Sequence, residues 1–201
     1  MKLKAVEISA LSALILTVIM TFSFESACSG IREKVLRLHV IANSDSVSDQ
    51  ALKYAVRDEL LKDGESIFSG SETADEAEGK ISDNILFLKE TAEAVVHREG
   101  YGYPVSIDIG RTYFPTREYG DVTLPAGYYN AVRIIIGEGK GKNWWCVMFP
   151  PMCLPAASEK NPELSDILSE EELKLVTEKE KYELRFWFVE KYYELKKKFI
   201  D

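Results

Sequence analysis

A cysteine, a histidine and a side-chain amide or carboxylate are the residue types of a cysteine hydrolase, and this chain offers Cys146, His39 and either Asn43 or Asp45. In such a site Cys146 attacks, His39 takes its proton, and Asn43 or Asp45 orients the ring. The types fit and the setting does not. A reactive thiolate is stabilised by a helix N-terminus or a cation, whereas Cys146 stands inside the apolar run 144–149, which reads as a strand. An oxidised reading suits it better. Cys153 follows seven residues later, past Pro150 and Pro151, which can turn the chain back. In an oxidising compartment a disulfide across so short a loop contributes about 2 kcal/mol. The alternative is two buried thiols, because spacing alone does not establish the geometry of a bond.

The segment GEGKG at 137–141 raises the question of phosphate binding. Both the dinucleotide fingerprint and the P-loop must feed a helix whose N-terminus faces the phosphate, and this segment opens into Asn143, Trp144 and Trp145, a strand pattern. His39 and His97 are the only histidines, and neither has a second metal ligand at coordinating spacing. No metal, nucleotide or other cofactor is therefore expected.

These residues belong to two blocks that must position them. In the first, 36–58, Leu36, Leu38 and Val40 share one face of a strand, with Arg37, His39 and Ile41 on the other, less buried face. Asn43, Ser44, Asp45 and Ser46 break it with side chains that bond their own backbone. A helix follows, capped by Ser46 with Asp49 or by Ser48 alone, with Leu52, Ala55, Val56 and Leu60 as its apolar face and Gln50, Lys53, Arg57 and Asp58 mostly off it. In the second, 124–153, two apolar runs meet at the glycine turn, and the plain reading is a β-hairpin. Trp144 and Trp145 alternate across the second strand, one filling the core while the other reaches the surface. An exposed tryptophan beside Lys140 and Lys142 makes a contact anchor, since aromatic and basic side chains dominate binding hot spots. Asn43 and Asp45 are polar residues for which the fold offers the least explanation. Asn43, Asp45, Lys140, Lys142, Trp144 and Trp145 are therefore the candidate partner-binding residues. Arg133, across the hairpin, is expected to pair with a carboxylate.

Between the blocks, 63–80 is rich in glycine and carboxylates and reads as a solvated linker. Ala77, Ile81, Ile85, Leu88, Ala92 and Val95 mark a long amphipathic helix ending near Gly100. Val105, Ile107 and Ile109 alternate as a strand, and 113–121 forms a connection. The expected fold class is α+β: a largely antiparallel sheet with helices packed on one face, plus a C-terminal helical tail. In that tail Ser169 and Glu172 form a capping box. A helix is favoured from Phe188 onward, its aromatic density calling for packing on the domain, a membrane or a partner.

With 46% hydrophobic and 29% charged residues, the chain suits one folded domain. Its net charge of −8 argues against nucleic acid, whose phosphates need clustered Lys and Arg. Only Lys196, Lys197 and Lys198 are locally basic. Residues 8–24 carry no charge, and small residues follow at 26–30, which favours a cleaved export signal. The same stretch is long enough to span a bilayer as an uncleaved anchor, in which case residues 5–24 contact the membrane. Cys28 invites a lipidation reading that Glu25 opposes, since it stands where a lipobox wants leucine.

RLHVIANSDS, DQALK and VRD in the first block, Phe114-Pro115, LPAGYYNAVR, and above all IGEGKGKNWWCVMFPPMC resemble the stage II sporulation protein R family of endospore-forming bacteria, over about 35–154. NWWC followed by FPP and a second cysteine is a rare string. The resemblance implies a non-enzymatic signalling protein made in the forespore and secreted into the space between the forespore and mother-cell membranes. Its partner would be a membrane-embedded aspartic protease of the mother cell, which removes the pro-sequence of sigma-E. On that resemblance the chain divides into a signal peptide or uncleaved anchor at 1–29, a sporulation protein R-like domain at 30–155 and a helical extension at 156–201.

Overall fold

The structure is a computed structural model and describes residues 2–152 and 163–200. Helix α1 (Lys2–Glu33) leads into strand β1 (Leu36–Ile41), followed by α2 (Val47–Phe68), α3 (Ala74–Asp83) and α4 (Ile85–Arg98). Strand β2 (Val105–Phe114), a ribbon of β3 (Arg117–Tyr119) with β4 (Val122–Leu124), then β5 (Gly127–Ile136) and β6 (Asn143–Phe149) complete the β elements. Helices α5 (Leu164–Ile167), α6 (Glu170–Thr177) and α7 (Lys179–Ile200) form the tail. The fold is α+β.

The main sheet has the order β2-β5-β1-β6. Strand β1 runs parallel to β5 and antiparallel to β6, while β2 is antiparallel to β5. This corrects the hairpin reading of 124–153: β5 and β6 run oppositely but do not pair, because β1 lies between them. Strand β1 is buried along both faces and has a hydrogen-bonded neighbour on each side. Two apolar runs joined by a glycine turn look the same in sequence whether they pair directly or flank a third strand.

On one face, α2, α3 and α4 pack Leu52, Val56, Ile81, Leu88 and Val95 against Leu38, Val132 and Ile134 of the sheet. The other face is also covered. Phe24, Cys28 and Ile31 from α1, Leu175 and Val176 from α6 and Phe186 from α7 close over Phe114, Tyr129, Ala131 and Val147. His39, expected on a less buried face, is buried beneath this layer. Arg37 is fully buried there too, its guanidinium 4.2 Å from the Phe114 ring centre and 4.8 Å from that of Tyr129. It donates to the Cys146 carbonyl at 2.9 Å and to the Tyr119 hydroxyl at 2.5 Å, tying the β3–β4 ribbon to the main sheet.

Local signals explain the helix boundaries. Ser46 accepts from the Asp49 amide at 3.1 Å, Thr73 caps α3, and Ser169 with Glu172 forms the expected capping box. The supposed linker 63–80 is mostly helix, since α2 runs to Phe68 and α3 begins at Ala74, leaving a short break. The long helix expected to follow is broken at Asn84, which ends α3 and precedes α4. Arg133 pairs with Asp108 at 2.8 Å, as its position suggested.

Helix α1 has two parts. Its amino-terminal part has an 18-residue window of mean hydropathy 1.9 with none of it buried, the length and composition of a membrane-crossing or signal segment. From Phe24 onward it is built into the domain. Ile31→Ala should therefore destabilise the domain by about 2–5 kcal/mol, the usual cost of truncating a buried aliphatic side chain. Ile15→Ala, at a site half exposed, should leave it unchanged. Denaturant titration of the detergent-solubilised chain measures both, and equal stability in the two variants would place residues 24–33 outside the core.

Candidate partner-binding site

Segment 137–142 leaves β5, passes over the carboxyl end of β1 and enters β6, and the loop after β1 receives it. Asn43 Oδ1 accepts from the Glu138 amide at 3.0 Å, the Asn43 carbonyl from the Lys140 amide at 3.1 Å, and the Ala42 carbonyl from the Gly141 amide at 2.9 Å. Asp45 Oδ1 accepts from the Lys142 amide at 2.6 Å. Each acceptor satisfies a backbone donor that a glycine loop otherwise leaves to water.

Two glycines permit this approach. Gly137 has φ 59°, and a Cβ there would lie 2.3 Å from Asn43 Oδ1. At Gly141 a Cβ would lie 2.2 Å from the Ser44 carbonyl oxygen, a backbone atom that cannot step aside. The glycines that suggested a phosphate cradle are spaced for contact with the chain itself.

Below the loop, α2 supplies a second tier. Lys53, expected off the buried face, is almost fully buried; its Nζ donates to the Lys142 carbonyl at 3.0 Å and to Gln50 Oε1 at 2.7 Å. Burial pushes the Lys53 ammonium below its ordinary pKa. Gln50 donates onward to the Ser44 carbonyl at 2.9 Å. Asp49 accepts from Ser44 Oγ at 2.6 Å and Asn43 Nδ2 at 2.9 Å, and these bonds hold its carboxyl below the usual carboxylate range. Sequence reasoning assigned Asp49 only to the helix cap and did not place Gln50 or Lys53 in the site. The available signal was their i, i+3 and i, i+4 spacing, which lets a lysine and its neighbours share one helix flank.

The fold thus explains Asn43 and Asp45, contrary to expectation: their side chains hold the loop. Asp45, Lys140, Lys142 and Asn143 remain accessible along its rim. Lys140 pairs with Glu138 at 2.7 Å, both in solvent, where such pairs contribute little. Beside them the Arg57 guanidinium lies 4.3 Å from the Trp144 ring centre and 4.9 Å from that of Tyr54, and the two rings meet edge to face at 5.4 Å. Trp145 takes the opposite face, stacked on His39 at 3.8 Å and against Phe114 at 4.8 Å. The tryptophans do alternate, but both are half-buried rather than one core and one surface.

The hydrolase constellation is not assembled. Cys146 is fully buried with Leu38 in the helix-covered core, whereas His39 lies on the other side of the sheet beside Trp145. His39 Nε2 is 2.9 Å from Asn143 Oδ1, and burial pushes its imidazole below the ordinary value. Asn43 and Asp45 are engaged by the loop. Cys146 is disulfide-bonded and Cys28 is a free buried thiol. Cys153, the partner expected for Cys146, lies outside the described residues.

The family model for stage II sporulation protein R (spore_II_R) matches residues 32–159, which include β1, the glycine loop and β6. The chain belongs to this family. Stage II sporulation protein R of Bacillus subtilis (strain 168) is 38% identical over 123 residues, 61% of this chain and 55% of that protein. The chain thus spans about half the length of this curated relative. No solved structure matches. Membership supports a role in sporulation, and the matched region is the one that carries the interlocked loops. Helices α6 and α7 lie beyond it.

Two outcomes test the interlock. Asn43→Ala removes the acceptor for Glu138 and a donor to Asp49 and should cost about 1–3 kcal/mol in thermal or denaturant unfolding, as for an unsatisfied polar group. A loss no larger than that of a surface substitution would contradict it. Asp49 titrates at about 3.9 when unfolded and lower when folded, so its contribution is complete above about pH 4 and is lost as pH falls through the folded value. Asp49→Asn should therefore be less stable at neutral pH and show a shallower loss of stability on acidification than the parent; parallel pH curves would contradict it.

Proposed function

We propose that this chain is an exported signalling protein of sporulation which activates the membrane-embedded aspartic protease that processes the sigma-E precursor, acting from the space between forespore and mother cell. What carries the reading is family membership over the region where the interlocked loops stand. The apolar amino-terminal helix is compatible with export, and the loops supply a rigid, partly basic and aromatic surface formed by Lys140, Lys142, Tyr54, Arg57 and Trp144.

A protein ligand can activate an enzyme only by binding its active arrangement more tightly than its inactive one. A preformed surface suits this, because little binding energy is spent on ordering the loop. The glycine loop is held by backbone contacts, so its lysine side chains are available to engage acidic or aromatic groups on the protease. Asn43 then acts through the loop, Asp45 both holds it and borders the surface, and Trp145 supports the site from the opposite face.

The experiment is co-expression with the protease and the sigma-E precursor in a non-sporulating host. Replacing Lys140 and Lys142 together with Glu should lower processing about tenfold, for a loss of about 1.4 kcal/mol of contact energy. Thermal stability should shift by less than about 0.5 kcal/mol, because neither side chain is part of the buried network. Full processing in that variant would remove this surface from the contact. Processing by the parent chain without the protease would defeat the reading altogether.

A further inference from the structure

Helix α7 presents two apolar faces, and the domain uses only one. Phe186 and Tyr193 are buried, and Phe186, with Tyr182 and Val189 beside it, packs into the second core. On another flank Phe188, Tyr192 and Leu195 follow at i, i+4 and i+7, and each is between 55% and 65% exposed. Arg185 and Lys196 lie along one edge of this stripe. Glu190 and Glu194 stand on the opposite flank, close enough to Tyr113 that they reinforce the effect of burial in raising its hydroxyl pKa. The helix therefore divides into a buried face, a flank toward β2 that carries Glu190, Glu194 and the half-exposed Trp187, and an exposed apolar stripe with a basic edge.

The position of the stripe identifies what covers it. The apolar part of α1 is exposed on all sides and has the hydropathy of a membrane-crossing segment, so a retained α1 places a bilayer just before Phe24, where the helix enters the domain. Helix α7 meets α1 at that residue. The Tyr182 and Phe186 rings lie 6.1 and 5.8 Å from the Phe24 ring, and the Arg185 guanidinium is 5.6 Å from its centre. Tyr193 donates at 3.2 Å to Oε1 of Glu25, the next residue of α1. Arg185, at the amino-terminal end of the stripe, thus stands at the level of Phe24, where the bilayer surface must be. Aromatic residues with flanking Lys and Arg are the composition that partitions into a headgroup layer, and the cations favour anionic lipid although the whole chain carries −8.

We propose that α7 is an interfacial helix, its Phe188, Tyr192 and Leu195 stripe embedded in the anionic bilayer that α1 crosses, so that the domain is held at a fixed height on that membrane. This stands independently of the protease as partner. It also requires that α1 be retained, which accords with Phe24, Cys28 and Ile31 being part of the domain core. Helix α7 lies outside the region matched by the family model.

The test uses the full chain reconstituted in phosphatidylcholine vesicles with and without phosphatidylglycerol. Spin labels are placed singly at Tyr192→Cys and, as the control flank, at Glu194→Cys; collision with oxygen, which concentrates in lipid, is compared with collision with a water-soluble nickel chelate. The expected result is preference for oxygen at 192, preference for the chelate at 194, and a reduced contrast when phosphatidylglycerol is omitted. Preference for the chelate at both positions would overturn the proposal. So would a label at 192 shielded from both reagents, which would mean that protein covers the stripe. Leu195→Cys provides a second reporter if the Tyr192 variant does not fold.

Discussion

The interaction on which the surface of this protein depends is the capture of the glycine loop by the end of β1. A central strand flanked by two strands that are consecutive in sequence requires their connection to step over it, across two strand spacings of about 4.8 Å each. Six residues, 137–142, make that step. Such a connection would be a soft, solvated loop if its amides faced only water. Here the Asn43 and Asp45 side chains and the carbonyls of Ala42 and Asn43 accept from it, and Lys53 closes it from below. The absence of a side chain at Gly137 and Gly141 makes the approach sterically possible.

The same logic of burial governs the second face. Arg37 sits in a layer of aromatic rings, and no carboxylate pairs with it among the described residues. A buried guanidinium in that position is costly unless π faces, a hydroxyl and a carbonyl offset the loss of water. Tyr119 and Cys146 supply the last two. The arrangement links the β3–β4 ribbon, β1 and β6 in one unit, and α1, α6 and α7 close over it. The amino-terminal helix and the tail are thereby structural parts of the domain, which places the export segment, the second core and the loop surface on one continuous scaffold.

Much of this is legible from the residues. The strand and helix of 36–58, the strand at Val105, the Ser169 capping box and the α+β class follow from alternation, helical spacing and caps. The hairpin reading fails because local pattern carries no information on which strand inserts between two others, and Arg37 and His39 give β1 the alternation of a half-exposed strand although both are buried. The loop-holding role of Asn43 and Asp45 is invisible in the sequence because the bonds that perform it reach residues 95 and 97 positions away. Lys53 is misplaced by pattern alone because a lysine on a helix normally seeks solvent, and the carbonyl of Lys142 overhead together with Gln50 Oε1 explains its burial. The two tryptophans alternate as their positions on a strand require. Their equal half-burial arises because Arg57 and Tyr54 cover one and His39 the other.

The central claim, that loop 137–142 is a rigid part of the sheet and not a flexible tip, is tested most directly by amide hydrogen exchange resolved to single residues. The account predicts that the Glu138, Lys140, Gly141 and Lys142 amides exchange at rates near those of the β5 ladder, and that Asp45→Ala accelerates Lys142 first. Exchange of all four amides at the rate of an unstructured peptide in the parent protein would contradict it.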